Sequence, residues 1–591
     1  MTASQPTDMT LPRLLAQRVA AAPEAIAFQA RDADGHWRPL SWQNFAEQVQ
    51  QLRKGLAAAG LRHGDRLALI APVSLRWELV HHAAVSLGAV VVGLDAHDLP
   101  QRIANMAEQA DIAAFVVADT AVLGQVGERR LASARFVLHL GAADASPLDP
   151  ARQLDWPALT RLSEAAPAGG GNDAVAPKDL ATIIFTSGTT GAPRGIAYSH
   201  GQICLAVQAI CEAFSFVGSS SRLLCWLPLS NLFQRIVNLA AVRQGATTYL
   251  LGNPRQVMQV VGEVAPDIFV GVPRFFEKLY EGVRDGIDGQ PPLKRWLALR
   301  AWALGRRMSR CTLQQRVPPL GLRLAHAAAE RLVLRRIRSI MGSRLRVLVT
   351  GSAPTPRPLL EDLHALGWLV LEAYGLSENV IPMALNRADD FRFGTVGRPV
   401  APNEIVVAEN GAVKVRGPGL FRGYLGGGSQ LALDQEGFYT TGDLGEWDED
   451  GYLRLVGRAG DLFKTSTGRL IAPVGVEAEL RRVPGIDQVV VIGAGRKCPI
   501  ALCTVAAGGL GASARHRLTD ALAACVARIS EHERPCGIAL LDRPFSIEQG
   551  ELTPNLKLRR AAIEALHAAP IDELYRRLDE RPNVAAPLLV V

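Results

Sequence analysis

An apolar strand that leads directly into a loop of glycines and hydroxyl residues is the feature that most constrains this chain. Residues 180–185 predict a buried strand, and residues 186–195 read Thr-Ser-Gly-Thr-Thr-Gly-Ala-Pro-Arg-Gly. Glycines and short hydroxyl side chains let backbone N–H groups come close to a phosphate chain, and Arg194 adds a permanent positive charge. The loop lacks the Gly-Lys-Ser/Thr ending of a Walker A motif. Because an isolated loop of this composition is usually a surface turn, its meaning depends on the rest of the chain.

The pattern along the chain predicts an α/β protein with two domains. A chain of 591 residues exceeds what one hydrophobic core supports. Helical and strand patterns alternate at first, which is typical of parallel sheets covered by helices on both faces. Turns become frequent over residues 395–457 and predict a small β-barrel-like subdomain. We expect a large N-terminal domain of doubly wound α/β subdomains plus this β-rich unit (residues 1–460), and a small, mobile α+β C-terminal domain (residues 461–591).

Composition and cysteine spacing indicate an ordinary globular protein in a reducing compartment. Hydrophobic residues make up 48% of the chain and charged residues 20%. The eight cysteines include no Cys-x-x-Cys pair, so neither a disulfide framework nor a zinc site is indicated. The longest apolar run, residues 83–94, is too short to span a bilayer. We therefore expect a cytoplasmic protein.

Residues 291–346 form a strongly basic segment that predicts a helical insertion. The segment holds fourteen lysines and arginines and one acidic residue, Glu330. Its arginines alternate with Trp296, Trp302 and several leucines, as in helices that lie on an anionic membrane surface. The alternative is a solvated insertion whose apolar stripe packs on the protein itself. No recognition motif accompanies the charge, so no nucleic-acid partner is expected.

Four further segments carry polar side chains suited to binding a nucleotide. They are Gly351-Ser-Ala-Pro354, Tyr374-Gly-Leu-Ser-Glu378, Tyr439-Thr-Thr-Gly-Asp443 with Arg458 beyond it, and Gly550-Glu-Leu-Thr-Pro-Asn-Leu-Lys557. An aromatic ring can flank an adenine, and a carboxylate can hold Mg²⁺ on phosphates. Asp443 can accept hydrogen bonds from ribose hydroxyls. An ammonium such as that of Lys557 can offset the charge that develops at an α-phosphate under attack.

Together, and in this order, these segments resemble the adenylate-forming acyl ligases, the superfamily of acyl-CoA synthetases, peptide-synthetase adenylation domains and luciferase. The resemblance covers residues 11–560 and is closest to the long-chain fatty acyl-CoA synthetases. Two segments carry this closer likeness: Trp226-Leu-Pro-Leu-Ser-Asn231-Leu-Phe-Gln-Arg235 and Val272-Pro-Arg-Phe-Phe-Glu-Lys278. The resemblance implies a ligase that uses ATP and Mg²⁺ to activate a medium- or long-chain carboxylic acid as its adenylate, and then transfers the acyl group to a thiol.

The resemblance also assigns roles to individual residues of this sequence. Catalysis is assigned to Lys557, Glu378 and Arg194, with Glu378 as the metal ligand, and the hinge between the domains to Asp461. The acyl pocket is assigned to Asn231, Leu232 and Phe233. ATP and AMP binding is assigned to Thr186, Ser187, Gly188, Thr189, Thr190, Gly191, Gly351, Ser352, Ala353, Pro354, Tyr374, Gly375, Ser377, Asp443, Arg458 and Lys464.

The chain departs from the family pattern at three places, and these departures leave the substrate and acceptor open. Arg194 stands where the phosphate loop normally has lysine, and Asn231 and Gln234 replace a histidine and a glutamate of the acyl-pocket segment. Residues 94–98 replace a usual aromatic-Pro-Thr turn. Coenzyme A is the expected acceptor, and the phosphopantetheine arm of an acyl carrier protein is the alternative. A non-catalytic protein that binds fatty acid or acyl-AMP is a second alternative.

Overall fold

The structure is a computed structural model. It describes residues 8–141, 149–166, 175–186, 193–426, 432–505, 512–531, 533–541, 543–552, 558–580 and 588–590.

The first part of the chain builds an α/β unit around a mostly parallel sheet. The elements in this part are α1 (Leu11–Ala21), β1 (Ile26–Arg31), β2 (Trp37–Ser41), α2 (Trp42–Ala58), β3 (Arg66–Ile70), α3 (Leu75–Ser86), β4 (Val90–Gly93), α4 (Pro100–Gln109), β5 (Ala114–Val117), α5 (Leu123–Val126), α6 (Glu128–Ser133), β6 (Val137–His139), β7 (Gln153–Asp155), α7 (Trp156–Ala165), β8 (Leu180–Phe185) and β9 (Gly195–Ser199). The sheet has seven strands in the order β7-β6-β5-β3-β4-β8-β9, and they are parallel except for β9. Its central strands are buried and almost wholly apolar, as a sheet covered on both faces requires.

The second part of the chain builds a larger sheet of the same kind. Its elements are α8 (His200–Ala213), β10 (Arg222–Cys225), α9 (Leu232–Gln244), β11 (Thr247–Leu250), α10 (Val257–Val264), β12 (Ile268–Gly271), α11 (Pro273–Asp288), α12 (Pro292–Leu313), α13 (Leu320–Ala329), a π-helical turn (Glu330–Leu334), α14 (Arg335–Arg338), β13 (Val347–Thr350), α15 (Arg357–Ala365), β14 (Val370–Leu376), β15 (Asn379–Leu385) and β16 (Arg398–Pro399). The sheet has nine strands in the order β16-β15-β14-β13-β12-β10-β11-β1-β2. It is parallel from β14 to β1, with antiparallel strands at its edges. The doubly wound class predicted from the sequence is confirmed.

Three smaller sheets follow, one of them the antiparallel pair β21 and β22 whose bounds are given below. An antiparallel sheet consists of β17 (Glu404–Val407), β18 (Ala412–Arg416), β19 (Tyr439–Trp447) and β20 (Leu453–Arg458). The remaining elements are β21 (Phe463–Lys464), β22 (Leu470–Ile471), α16 (Pro473–Leu480), β23 (Ile486–Ile492), β24 (Ile500–Val505), α17 (Ala512–Val526), β25 (Gly537–Leu541), α18 (Arg560–Leu566), α19 (Ala568–Glu580) and β26 (Leu588–Val590). Strands β23 to β26 form a mixed sheet with its own buried apolar clusters on both faces. Short 3₁₀ turns lie at Thr120–Val122, Pro150–Arg152, Pro254–Gln256 and Ser339–Met341.

Local sequence explains where several of these elements begin and end. Ser41 caps α2, because its side chain accepts a hydrogen bond from the backbone N–H of Asn44 at 3.2 Å. Gly60 follows this helix with a φ of +99°, a conformation that favours glycine. Within the described residues, no helix combines the length and the apolar character needed to cross a membrane.

A buried polar cluster joins the two α/β units. A carboxylate oxygen of Glu78 on α3 accepts a hydrogen bond from the amide of Asn238 on α9 at 2.6 Å. Arg235, one turn earlier on α9, donates to the hydroxyl of Thr182 on β8 at 2.7 Å. All four side chains are buried. Because both hydrogen bonds run from one unit to the other, they favour one alignment of the two units.

Burial shifts the pKa values of this cluster strongly. It raises the pKa of the Glu78 carboxyl to about 7 and lowers the pKa of the neighbouring His82 imidazole to about 4. His81 lies beside both, and burial holds its pKa well below its usual value. Burial also lowers the pKa of Arg235 to about 10. The cluster therefore favours neutral histidines together with a carboxyl that is protonated below neutral pH.

Glu78→Gln should flatten one part of the pH dependence of stability. Because the folded-state pKa of Glu78 is raised, the folded protein binds more protons than the unfolded chain between about pH 4.5 and pH 7, and its stability falls as pH rises through this window. Glutamine keeps the acceptor oxygen and does not titrate. As pH rises between these limits, we expect the free energy of unfolding of the variant to increase by on the order of 1–3 kcal/mol relative to that of wild type. Urea unfolding at pH 5 and at pH 7.5 measures the difference.

Glu47→Gln is the matched control for this comparison. Glu47 also accepts a hydrogen bond from a side-chain amide, that of Gln43, but it is exposed on α2. Its substitution should leave the pH dependence unchanged. Parallel pH profiles for wild type and Glu78→Gln would contradict the assignment of a raised pKa to Glu78.

Candidate active site

The two ends of the predicted phosphate loop are held together as a hairpin. The backbone N–H of Thr186 donates to the carbonyl of Arg194 at 3.1 Å, and the N–H of Arg194 reaches the Thr186 hydroxyl at 3.4 Å. Strand β8 enters this loop and β9 leaves it, antiparallel to β8. Ser187, Gly188, Thr189, Thr190 and Gly191 lie outside the described residues.

Two neighbours that sequence reasoning missed support the start of β9. The side-chain oxygen of Gln109, the last residue of α4, accepts from the N–H of Gly195 at 2.8 Å, and its NH₂ group donates to the carbonyl of Pro193 at 3.1 Å. On the other side, Tyr424 forms an isolated antiparallel bridge with Ile196. Tyr424 belongs to residues 417–425, which are referred to below as the 417–425 segment. Nothing in the local sequence marks Gln109, because its partners lie more than eighty residues away.

Tyr424 joins the phosphate loop to the predicted metal ligand. The guanidinium carbon of Arg194 lies 4.0 Å from the centre of the Tyr424 ring, and the Tyr424 hydroxyl donates to Glu378 at 2.8 Å. Burial, followed by the hydrogen bond to Glu378, raises the pKa of Tyr424, so its phenol remains a donor. Tyr439 is also hydrogen-bonded to Tyr424. This arrangement orients one oxygen of the half-buried Glu378 carboxylate.

Tyr374, Asp443 and Arg458 form a second connected group. Asp443 and Arg458 face each other across β19 and β20, and the Arg458 Nε donates to the carboxylate at 3.0 Å. The Tyr374 hydroxyl donates to the other carboxylate oxygen of Asp443. Burial, and then the charge of Asp443, raises the pKa of Tyr374. A carboxylate has about four acceptor positions, so Asp443 keeps acceptor capacity for hydroxyls beside these two donors.

The segment around Tyr374 differs from the expected strand. The sequence predicts a strand over residues 369–373 with Tyr374 beyond its end, whereas β14 continues to Leu376 because it pairs with the antiparallel strand β15. Tyr374 is therefore buried within the strand, and Gly375 and Ser377 lie around its end. The carbonyl of Ser377 accepts from the Tyr198 hydroxyl at 2.5 Å. The adenine-facing role of Tyr374 stays a prediction.

The Gly351–Pro354 turn lies at the carboxyl end of β13, next to β14. Ser352 and the two residues after it are exposed. Ser352 has a φ of +73°, which is uncommon for a residue other than glycine and is often found at binding sites. Open α/β sheets bind ligands at the carboxyl ends of their strands, so this exposed turn is well placed to contact a base.

The predicted hinge residue, Asp461, follows β20. Asp461 is half-buried, and its N–H donates to the carbonyl of Arg458 at 3.1 Å. Lys464 is exposed and forms no ion pair with a described residue. Lys557 lies outside the described residues.

The residues on either side of the Lys557 segment are firmly anchored. Glu551 is buried and accepts from Arg543 at 2.6 Å and from His567 at 2.8 Å. Arg560 contacts Glu477 of α16 and donates to the carbonyl of Val491 at 3.0 Å. Both anchors belong to the C-terminal sheet and its helices.

Ion pairs contribute to the contact between α11 and the C-terminal part of the chain. Arg274 contacts Asp487 at the start of β23 and Glu277 at 3.1 Å. In a second ion pair, a guanidinium nitrogen of Arg481 lies 4.0 Å from a carboxylate oxygen of Glu277. The side chains of these four residues are 15–30% exposed.

An apolar cavity lies between the second sheet and two of its helices. It opens between α8, α9 and strands β10, β12 and β13. Its lining includes Phe233, one of the predicted acyl-pocket residues, and also Ile210, Val237, Ala240 and Val349. Val349 stands two residues before the Gly351 turn, so the strand that lines the cavity also leads to the candidate base-binding turn.

Asn231 and Leu232, the other two predicted acyl-pocket residues, lie at the start of α9. Asn231 caps α9 by accepting a hydrogen bond from the N–H of Phe233 at 2.9 Å, and so orients the helix that carries Phe233. Leu232 is half-buried at the start of this helix. Neither residue is among those that line the cavity. Their direct contact with an acyl chain stays a prediction.

Comparison with known proteins places this geometry in a family. Residues 15–425 match the model of the AMP-binding enzyme family, and residues 460–579 match the model of the AMP-binding enzyme C-terminal domain. The chain is 27% identical over 587 residues to the long-chain-fatty-acid–CoA ligase FadD15 of Mycobacterium tuberculosis, covering 94% of this chain and 95% of that protein. It is 30% identical over 443 residues to the putative fatty-acid–CoA ligase fadD11 of the same species, covering 71% of this chain and 77% of that protein.

The solved structures show the same fold at lower identity. The crystal structure of the anthranilate CoA ligase AuaEII in complex with anthranoyl-AMP has a TM-score of 0.74 at 20% sequence identity, covering 97% of this chain and 100% of that chain. The family match spans more than two thirds of the sequence and includes every element described at the site up to the 417–425 segment. The chain belongs to the AMP-binding enzyme family, the adenylate-forming ligases that its motifs predicted.

Proposed function

We propose that this protein activates a medium- or long-chain carboxylic acid with ATP and transfers the acyl group to the thiol of coenzyme A. The observation that carries the proposal is an apolar cavity lined by Phe233 and by Val349, which stands two residues before the Gly351–Pro354 turn that the resemblance assigns to the nucleotide. The names of the relatives, which are fatty-acid–CoA ligases, support the same substrate class. A cavity without charged lining residues suits an alkyl chain.

The residues at the site fit a magnesium-bound nucleotide. Glu378 offers a carboxylate whose one oxygen is oriented by Tyr424, and Mg²⁺ is usually bound by one or two carboxylates together with substrate phosphates. When bound, Mg²⁺ would neutralise phosphate charge. Thr186 and Arg194 would hold phosphate oxygens, and Asp443 with Arg458 would hold the ribose. Gly351–Pro354 and Gly375 would border the base.

In the first half-reaction the substrate carboxylate attacks the α-phosphorus of ATP. A bond forms between a carboxylate oxygen and phosphorus, and the bond to the pyrophosphate oxygen breaks. Both reactants are anionic, so positioning and charge neutralisation must supply most of the rate. Lys557 and Arg194 are the cations that we assign to this step, and the product is the acyl-adenylate.

In the second half-reaction the thiol sulfur attacks the acyl carbon, and AMP leaves with the electrons of the acyl–oxygen bond. The thiol proton passes to solvent. We assign the reorientation between the two steps to the small domain, with Asp461 as its hinge. The phosphopantetheine thiol of an acyl carrier protein would undergo the same chemistry, and is the alternative acceptor.

We also propose that the protein contacts membranes peripherally through the basic helical insertion, residues 291–346. A long-chain acid is scarcely soluble in water and partitions into bilayers, so an enzyme that uses it benefits from a place at the membrane surface.

Mass spectrometry of the products tests the proposed reaction. The protein is incubated with Mg·ATP, a mixture of fatty acids and coenzyme A, and separately with a phosphopantetheinylated acyl carrier protein. Acyl-CoA formation with release of AMP and pyrophosphate is the expected result. Acyl transfer to the carrier protein but not to coenzyme A would identify the carrier protein as the acceptor. Binding of fatty acid without pyrophosphate release would indicate a non-catalytic protein.

Lys557→Ala should abolish most adenylation while the fold is retained. Loss of one electrostatic contact to a developing charge costs on the order of 10²–10³ in rate. Pyrophosphate release measures the first step, and circular dichroism checks the fold. Lys497→Ala is the matched control, because Lys497 is another lysine of the C-terminal part that pairs with Asp579 at the surface. Near-normal release by a folded Lys557→Ala protein would show that another residue fills this role.

Tyr424→Phe should weaken adenylation by removing the hydrogen bond that orients Glu378. Loss of a residue that orients a metal ligand typically costs about 10-fold or more in activity or metal affinity. We expect a lower kcat and a higher Mg²⁺ concentration for half-maximal rate. Tyr452→Phe is the control, since its hydroxyl also bonds a carboxylate, that of Asp390, but away from the site. An unchanged Mg²⁺ dependence in Tyr424→Phe would argue against Glu378 as the metal ligand.

Ala240→Phe should shift the substrate preference toward shorter acids. Ala240 lines the cavity, and a phenyl ring there removes space for the far end of an alkyl chain. Each methylene that loses burial costs about 0.8 kcal/mol, so exclusion of two lowers kcat/KM by about 15-fold. The short acids serve as internal controls, and Ala240→Ser keeps the volume nearly constant. An equal loss for short and long acids would place the acyl chain elsewhere.

A further inference from the structure

The outer surface of the basic helical insertion exposes an unusual number of large hydrophobic side chains. Helices α12 and α13 pack against each other as a helical hairpin. Of the eighteen large hydrophobic residues that are exposed in the described part of the chain, nine lie between residues 291 and 346: Leu293, Trp296, Leu297, Leu299, Val317, Leu320, Leu324, Leu332 and Ile340. Apolar residues concentrated in this way mark a surface that another body covers.

One face of α12 packs against the rest of the protein. Its buried residues are Ala298, Ala301, Trp302, Gly305 and Ser309, which recur every three or four positions. This stripe faces α15, and a Cβ atom at Gly305 would overlap the backbone carbonyl of Ala365. Backbones in such close contact fix the orientation of the helix, and the same contact determines which residues point outward.

The opposite face of α12 combines apolar and cationic groups. Leu293, Trp296, Arg300 and Arg307 are spaced by three, four and seven residues, so at 100° per residue they share the side away from the buried stripe. Leu293 is 70% exposed and Trp296 is 53% exposed. The guanidinium carbon of Arg300 lies 5.4 Å from the centre of the Trp296 ring. Tryptophan beside arginine is typical of the boundary between lipid headgroups and acyl chains.

Most of the positive charge of the insertion has no acidic partner in the protein. Four of its fourteen basic residues form ion pairs: Arg295, Arg306, Arg338 and Arg344. For the other ten, no carboxylate of a described residue lies within ion-pair distance; they are Lys294, Arg300, Arg307, Arg310, Arg316, Arg323, Arg331, Arg335, Arg336 and Arg346. A body that covers this surface therefore complements it best when it is anionic as well as apolar.

We propose that this surface docks the protein on an anionic phospholipid bilayer, with Trp296 and the neighbouring leucines at the headgroup boundary and the unpaired arginines on lipid phosphates. A nucleic acid offers phosphates but leaves the leucines exposed, whereas an anionic bilayer satisfies both kinds of group. The inference deepens the proposed peripheral contact and does not depend on the ligase chemistry.

Co-sedimentation with vesicles tests the docking surface. The full chain is mixed with vesicles of phosphatidylcholine alone or of phosphatidylcholine with phosphatidylglycerol, at about 0.1 M and about 1 M salt, where the Debye length is about 10 Å and 3 Å. We expect binding to the anionic vesicles at low salt and release at high salt. Arg300→Glu with Arg307→Glu should lower the partition coefficient by about 25-fold or more, because each basic residue near an anionic surface contributes roughly five-fold. Leu293→Ser with Trp296→Ser should lower it by about 10-fold.

Matched variants elsewhere on the surface provide the controls. Arg129→Glu with Arg528→Glu makes the same change in net charge at two exposed positions, and Leu566→Ser with Trp447→Ser removes the same apolar side chains from other exposed sites. Both control proteins should bind as wild type does. All four proteins should retain pyrophosphate release with a soluble medium-chain acid, so a failure of the ligase proposal is seen separately from a failure of docking.

Four results would overturn the inference: equal binding to neutral and anionic vesicles, equal loss in the control variants, sedimentation of the protein without vesicles, or binding to an oligonucleotide but not to vesicles. The third would assign the surface to self-association, which sedimentation velocity would show directly, and the fourth would assign it to nucleic acid.

Discussion

The contact between the start of β9 and the 417–425 segment is the interaction on which the site depends. It brings the phosphate loop of the seven-stranded sheet to Glu378, which follows β14 of the nine-stranded sheet. The N–H of Leu425 donates to the carbonyl of Gly195, and the Tyr424 ring lies against Arg194. Tyr439 extends the link toward β19, the strand that carries Asp443. Three sheets thus meet at one short stretch of chain, and each contributes a different chemical group.

The buried cluster around Glu78 also links the two α/β units, in the interior of the protein. Burial of apolar surface favours contact between the two α/β units but is not directional. The hydrogen bonds from Asn238 to Glu78 and from Arg235 to Thr182 allow only one alignment. Since Arg235 and Phe233 lie on the same helix, this alignment also determines where the apolar cavity opens relative to the loop.

Sequence reasoning found the features that depend on neighbouring residues and missed those that depend on distant ones. The alternation of strands and helices, and the cap of α2 at Ser41, follow from local patterns and are confirmed. Gln109 and Tyr424 were missed because their partners come from other sheets. The end of β14 was placed three residues early, since its last residues are ordered by pairing with β15 rather than by their own hydrophobicity. The motifs predicted that Tyr374, Asp443 and Arg458 act on one nucleotide, but not that they contact each other.

The ion pairs between α11 and the C-terminal part of the chain bear on the free-energy cost of separating these two parts. Arg274, Asp487, Glu277 and Arg481 are all in contact with water at their edges. When such pairs separate, each charge regains its hydration, so opening costs far less than exposing an apolar interface of the same size. Charges of this kind can also form new pairs in a second arrangement without any change in their own protonation. These ion pairs alone would therefore be a small obstacle to separating α11 from the C-terminal part of the chain.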